Sequence, residues 1–227
     1  MSDDSDYELE GFGDTENDIG VYDGDRNADG ARHGHGKACF PNGDIYEGEY
    51  EDGKRNGCGS YKFKAAKYVG KYSNGKRQGD GQMYYPDGST YNGQWNDGDK
   101  NGVGVYTYPN GDVYEGEWKD DQKHGKGVYT YKSTGTQFKG HWSQGVREGH
   151  AEWINNDHSY KGYFRNDQPF GRGYFLFNNG CEQHGYFKVT NFVEKVDKVM
   201  ELVGRETQWT STALVPSPPK TLPKKDK

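Results

Sequence analysis

Three groups of residues in this 227-residue chain have types and spacings that could do chemistry. His33, His35 and Cys39 are zinc-ligating types close together in sequence. Glu47 with Glu49, and Glu115 with Glu117, are paired carboxylates of the kind used in acid–base work. Gly-x-Gly pairs such as Gly57 with Gly59 and Gly125 with Gly127 could approach a phosphate. Each group falls short of what its chemistry needs. A structural zinc site takes four ligands, and no fourth stands at a fitting distance along the chain. Carboxylates at alternate positions of a strand share its solvent face, where solvated charge is the ordinary state. A dinucleotide loop requires the third glycine of Gly-x-Gly-x-x-Gly and a helix behind it, and no copy supplies them. The Gly-x-x-x-x-Gly-Lys-Ser/Thr, His-Glu-x-x-His and Gly-x-Ser-x-Gly signatures are also missing. The chain is therefore expected to have no catalytic residue, no metal and no cofactor.

The elements that hold these residues follow from composition and period. Ile, Leu, Val and Phe make up roughly 14% of the chain, below the roughly 20% at which disorder becomes the default reading. Against this stand 19 Tyr, 15% aromatic residues in all and 35 Gly. Rings bury large areas, so a chain poor in aliphatic residues can still build a core if its rings recur regularly. They do: Tyr46-x-Gly48-x-Tyr50, Tyr68-x-Gly70-x-Tyr72, Tyr91-x-Gly93-x-Trp95, Tyr114-x-Gly116-x-Trp118, Phe138-x-Gly140-x-Trp142 and Tyr160-x-Gly162-x-Phe164 start 22, 23, 23, 24 and 22 residues apart. An earlier copy opens with Tyr22 and Gly24, and a decayed last one is Gln183-x-Gly185-x-Phe187. Each continues through a turn into a Gly-x-Gly pair and alternating rings, the pattern of a β-hairpin. Side chains alternate along a strand, so Tyr114, Gly116 and Trp118 share the buried face while Glu115 and Glu117 point away. Stacked hairpins would then form columns of rings beside columns of glycine, in an all-β array over residues 20–189.

The unit Tyr114-Glu-Gly116-Glu-Trp118-Lys-Asp-Asp-Gln-Lys-His124-Gly125-Lys-Gly127 resembles the MORN repeat, which reads Tyr-x-Gly-x-Trp, a turn, then His-Gly-x-Gly. About seven copies and a partial eighth are present. The resemblance implies an elongated, single-layer, twisted antiparallel sheet and no catalysis by the repeat itself. Departures are Arg26 at a ring position, Ala151 in place of the second Gly of a pair, and Phe170 in the His slot. Beyond the generic repeat, Glu16-Asn17-Asp18-Ile19-Gly20, Arg32-His33-Gly34-His35-Gly36, Gly180-Cys181-Glu182-Gln183-His184-Gly185 and Leu222-Pro223-Lys224-Lys225 are similar to MORN proteins of the radial spoke head of motile cilia. That likeness implies a cytoplasmic scaffold of the ciliary axoneme, partnered by other radial spoke head proteins and in transient contact with the central pair apparatus. Self-association is left open. The alternative is a lipid-associated MORN membrane tether.

Charge separates these readings. The net charge is −6, and residues 1–25 hold ten acidic side chains and no basic one. The body is near neutral, which suits neither nucleic acid, whose binders concentrate positive charge, nor anionic lipid, which asks for clustered Lys and Arg. Three widely spaced cysteines, Cys39, Cys58 and Cys181, and the lack of an apolar leader or span fit reduced thiols in the cytosol.

Outside the array, residues 1–19 read as an acidic disordered arm, solvated rather than docked. Residues 190–204 are expected to form an amphipathic helix, because Phe192, Val196, Val199, Met200 and Val203 recur at helical spacing between Asn191 and Gly204. That helix would cap the array or dock a partner. Residues 205–227 read as an extended tail containing Pro and Lys.

Overall fold

The computed structural model describes residues 20–196 and 199–216, with side chains described outside 191–205. The expected acidic arm and the last part of the tail lie outside those residues. The chain forms two compact units, Met1–Pro86 and Asp87–Lys227. In the first, β1 (Val21–Arg26), β2 (Arg32–Cys39), β3 (Ile45–Glu51), β4 (Lys54–Phe63), β5 (Ala66–Ser73) and β6 (Lys76–Tyr84) follow chain order, each antiparallel to the next. In the second, the same meander runs through β7 (Thr90–Asn96), β8 (Asp99–Thr107), β9 (Val113–Lys119), β10 (Gln122–Thr130), β11 (Gln137–Ser143), β12 (Val146–Ile154), β13 (His158–Arg165), β14 (Gln168–Phe177), β15 (Cys181–Val196) and β16 (Val199–Pro216). In each unit the described residues are all-β, a single layer of stacked hairpins, as the repeat implied.

Local chemistry sets the hairpins. β3 and β4 are joined by Asp52-Gly53 with φ of 46° and 85°, and β9 and β10 by Asp120-Asp121 with φ of 49° and 63°. Two residues at positive φ are the signature of the type I′ turn, whose twist matches the strands it joins. Asn74-Gly75, Gln144-Gly145 and Asn166-Asp167 repeat the device.

Register then aligns like with like. Gly93, Gly104, Gly116, Gly127 and Gly140 stand opposite one another from β7 to β11, and Gly48, Gly59, Gly70 and Gly81 do so from β3 to β6. Rings flank the glycine column on one face only, so the core is one-sided. Tyr46, Tyr68, Tyr91, Tyr114 and Phe138 are fully buried there.

The described residues of 190–204 do not form the expected C-terminal helix. Phe192 and Val196 lie in β15, while Val199, Met200 and Val203 lie in β16, and the two strands pair from Cys181↔Pro216 to Val196↔Val199. Two physical terms favour strands. The segment's valines are β-branched, which suits a pleated sheet better than a helix. β14 pairs only with Glu182–Phe187 of β15, so the segment beyond pairs with itself, Thr190 to Val196 against Val199 to Glu206, and satisfies its backbone groups across that hairpin. Residues 205–216, expected in the tail, belong to β16 as well.

Candidate docking face

Each repeat is built around its first ring. The Tyr114 ring lies over Gly116 and Gly127, and its hydroxyl donates to the Glu117 carbonyl at 3.0 Å. Tyr22, Tyr46, Tyr68 and Tyr91 make the same bond to the carbonyl three residues on, at 2.8 to 3.1 Å. The ring also packs edge-on against the second ring of its own repeat and of the next. Tyr114 meets Trp118 at 5.2 Å and Trp142 at 5.3 Å, and Tyr46 meets Tyr50 at 5.0 Å and Tyr72 at 5.3 Å. This T-shaped geometry suits the ring quadrupole. In the final repeats Phe138, Phe164 and Tyr160 continue the chain of contacts to Phe187. Burial pushes the phenols of Tyr46, Tyr68, Tyr91 and Tyr114 well above their ordinary range, and that of Tyr72 to about 12. They stay neutral near pH 7.

The two glycines of each pair have different tasks. Gly57, Gly102 and Gly125 adopt φ of 68°, 96° and 54°, at bulges where the strand register shifts, as between His124 and Gly127. The second glycine lies beneath the ring: a Cβ on Gly127 would stand 2.6 Å from Tyr114 Cζ. A side-chain oxygen then caps the amide just after each bulge. Glu49 accepts from Cys58 N–H at 3.0 Å, Glu117 from Lys126 N–H at 2.9 Å, and Gln94 from Val103 N–H at 2.9 Å. The paired carboxylates are therefore divided. Glu49 and Glu117 hold the backbone, whereas Glu115 is exposed and Glu47 makes an exposed ion pair with Lys37 at 3.6 Å.

The irregular repeats compensate for their own departures. Ala151 replaces the glycine under the ring in the one repeat whose ring, Phe138, has no hydroxyl, and its Cβ occupies the space beside Gly140. Arg26, at a ring position, places its guanidinium 4.9 Å from the Tyr22 ring. Phe170, in the His slot, receives Arg165 at 4.3 Å.

His33, His35 and Cys39 lie along the extended β2, which separates His33 from Cys39 by roughly 20 Å. They cannot share one ion. His33 faces Asp52 at 3.5 Å instead. Among the described residues no group of three or more His, Cys, Asp or Glu is placed to hold a metal.

One set of residues escaped the sequence analysis. Arg32, Arg55, Lys100, Lys123 and Arg147 occupy equivalent repeat positions and turn inward onto the ring face. Arg32, Lys100 and Lys123 are only 5%, 6% and 9% exposed. Lys123 Nζ lies 5.0 Å from the Trp142 ring and donates to Tyr108 Oη at 3.1 Å. Arg147 sits 4.9 Å over Trp153 and bridges Asp167 at 2.9 Å. The basic positions recur at the spacing of the rings, so their period was readable. Charged residues, however, are read as surface by default.

Beside these cations the half-buried rings of Tyr106, Tyr108, Tyr129, Tyr131 and Trp153 form a strip with centroids 4.7 to 5.9 Å apart. Aromatic and Arg side chains in such density are what protein–protein hot spots are made of. Among the described residues no helix is long and apolar enough to cross a membrane.

The family model for the MORN repeat matches residues 28–45, 46–64, 68–90, 91–113, 114–136, 138–158 and 160–182. The chain is 55% identical to the Radial spoke head 1 homolog of Mus musculus over 192 residues, 84% of this chain and 63% of that one. It is 47% identical to the Radial spoke head 1 homolog of Cyprinus carpio over 212 residues, 92% of this chain and 97% of that one. It thus spans just under two thirds of the mouse relative and nearly all of the carp relative. Among solved structures, the TCP domain of Drosophila melanogaster SAS-4 superposes with a TM-score of 0.44 at 17% identity, over 72% of this chain and 88% of that one.

Proposed function

The chain belongs to the MORN-repeat family, and on that premise we propose that it is a non-enzymatic scaffold subunit of the radial spoke head in the axoneme of motile cilia. The likeness to radial spoke head 1 homologues supports the location. The observation that carries the role is the ring face. Tyr46, Tyr68, Tyr91 and Tyr114, each held by a hydrogen bond to its own strand, and cations packed between rings present half-buried Tyr and Trp side chains in fixed register. A face ordered before binding loses little side-chain entropy on docking. Several spoke-head subunits can then be held at set intervals, and the assembled head meets the central pair transiently to regulate beating. No cofactor enters this role.

Crosslinking mass spectrometry on isolated axonemes tests the reading. Crosslinks from a residue at the end of the strip, such as Lys132 beside Tyr131, should run to other spoke-head subunits. Crosslinks confined to membrane proteins would replace the scaffold with a tether.

A further inference from the structure

The repeats differ in how they neutralise the inward-facing cation, and the difference lies in one turn residue. The second residue of each I′ turn donates its N–H to the carbonyl of the cation in the preceding repeat. Where that turn residue is Asp, its carboxylate returns to the cation. Asp121 donates to Lys100 O at 3.2 Å and stands 3.7 Å from Lys100 Nζ. Asp167 donates to Arg147 O at 3.1 Å and accepts from Arg147 Nε at 2.9 Å.

Elsewhere the same backbone bonds are made by glycines, Gly53 to Arg32 O and Gly75 to Arg55 O in the first unit, each at 2.8 Å, and Gly145 to Lys123 O in the second at 3.0 Å, where the Lys123 ammonium donates to Tyr108 Oη. No carboxylate comes with them. Arg32 lies between Tyr22, Tyr50 and Phe40 at 5.4 to 5.9 Å, and among the described residues it has no acidic partner. Arg55 is packed on Tyr61, Tyr72 and Tyr46, and its buried Nε has no hydrogen-bond partner. The nearby Asp44 is already committed to Tyr61 Oη, the Lys64 amide and Asn42. A guanidinium with little exposure and no anion is costly, and a bidentate carboxylate is the partner its geometry fits.

We propose that Arg32 and Arg55 form a two-point carboxylate site, and that its occupant is the acidic segment 1–18 of this same chain. Three observations favour that occupant. Residues 1–18 carry eight carboxylates and no cation. They lead directly into β1, which pairs with β2, the strand of Arg32. The two arginines are two strands apart, roughly 10 Å, which matches acids three residues apart along one side of a three-fold polyproline II chain, the sequence spacing of Asp3 and Asp6. Tethering raises the local concentration of carboxylate into the millimolar range. The ring face of the first unit is then self-covered, and a partner reaches it by displacing the segment.

The test uses the full chain with all eight carboxylates of residues 1–18 changed to Asn or Gln. Its melting temperature should fall by roughly 2–4 °C at low ionic strength, and the difference should close at 1 M NaCl. A second background, G53D/G75D, installs the aspartate clamp that Asp121 and Asp167 make on Lys100 and Arg147. There is room for a side chain, since a Cβ on Gly53 meets only Ala31 at 4.0 Å and one on Gly75 meets nothing. Asp takes up the positive φ of this turn position at Asp121 and Asp167, at a backbone cost common to both arms of the comparison. In that background, and in R32Q/R55Q, neutralising the segment should have no effect. An unchanged melting temperature in the first comparison overturns the proposal. So does an equal loss in the G53D/G75D background, because the acids would then act elsewhere.

Discussion

At the scale of single residues, the hydroxyl of the first ring decides what each repeat tolerates. Tyr114 donates to Glu117 O, whereas the buried Tyr160 hydroxyl has no partner among the described residues. The same substitution should therefore have opposite signs. Tyr114→Phe should destabilise by about 0.5–1.5 kcal/mol, and Tyr160→Phe should be neutral or stabilising, as read from urea denaturation midpoints. Gly127→Ala should cost about 1–3 kcal/mol, because its methyl meets the Tyr114 ring. Adding Tyr114→Phe should recover part of that loss, because a ring without a hydroxyl is not pinned to the carbonyl and can retreat. The natural Phe138 and Ala151 pair is that double change already made. A strictly additive double mutant would show that the hydroxyl does not set the tolerance.

At the scale of elements, the bulge and the strand pairing can be separated. Gly125 and Gly171 both have positive φ, 54° and 69°, but a Cβ on Gly125 runs into the Glu117 carboxylate while one on Gly171 meets nothing within 4 Å. Gly171→Ala should cost about 1–2 kcal/mol for the backbone alone, and Gly125→Ala measurably more in thermal melts. The hairpins, their register and the ring face were legible in the sequence because Tyr114, Gly116 and Trp118 recur with an unbroken period of two within a longer period. Two elements were not legible. Residues 190–204 combine apolar residues at helical spacing with β-branched valines, and the pairing of β15 with β16, which spacing along one segment does not show, decides between them. The roles of Glu49 and Glu117 depend on a bulge that brings a distant amide within reach, and spacing along one strand carries no trace of it.

At the scale of the whole molecule, the repeats share one electrostatic response. Burial raises the phenol pKa of Tyr46, Tyr68, Tyr72, Tyr91, Tyr114 and Tyr160. A raised folded pKa means the fold favours the protonated phenol. This contribution is complete below the unfolded value near 10 and is lost as pH climbs through the folded values. Stability should therefore hold through neutral pH and fall steeply from about pH 10, with tyrosinate absorbance at 295 nm rising together with loss of sheet signal. Early titration of all tyrosines while the sheet stays intact would contradict the one-sided core. The central claim, that the chain acts by holding spoke-head subunits in place, is tested most directly by electron cryotomography of motile cilia lacking this protein. Stalks with incomplete heads and an altered waveform are the predicted result, and complete, correctly placed heads with normal beating would contradict it.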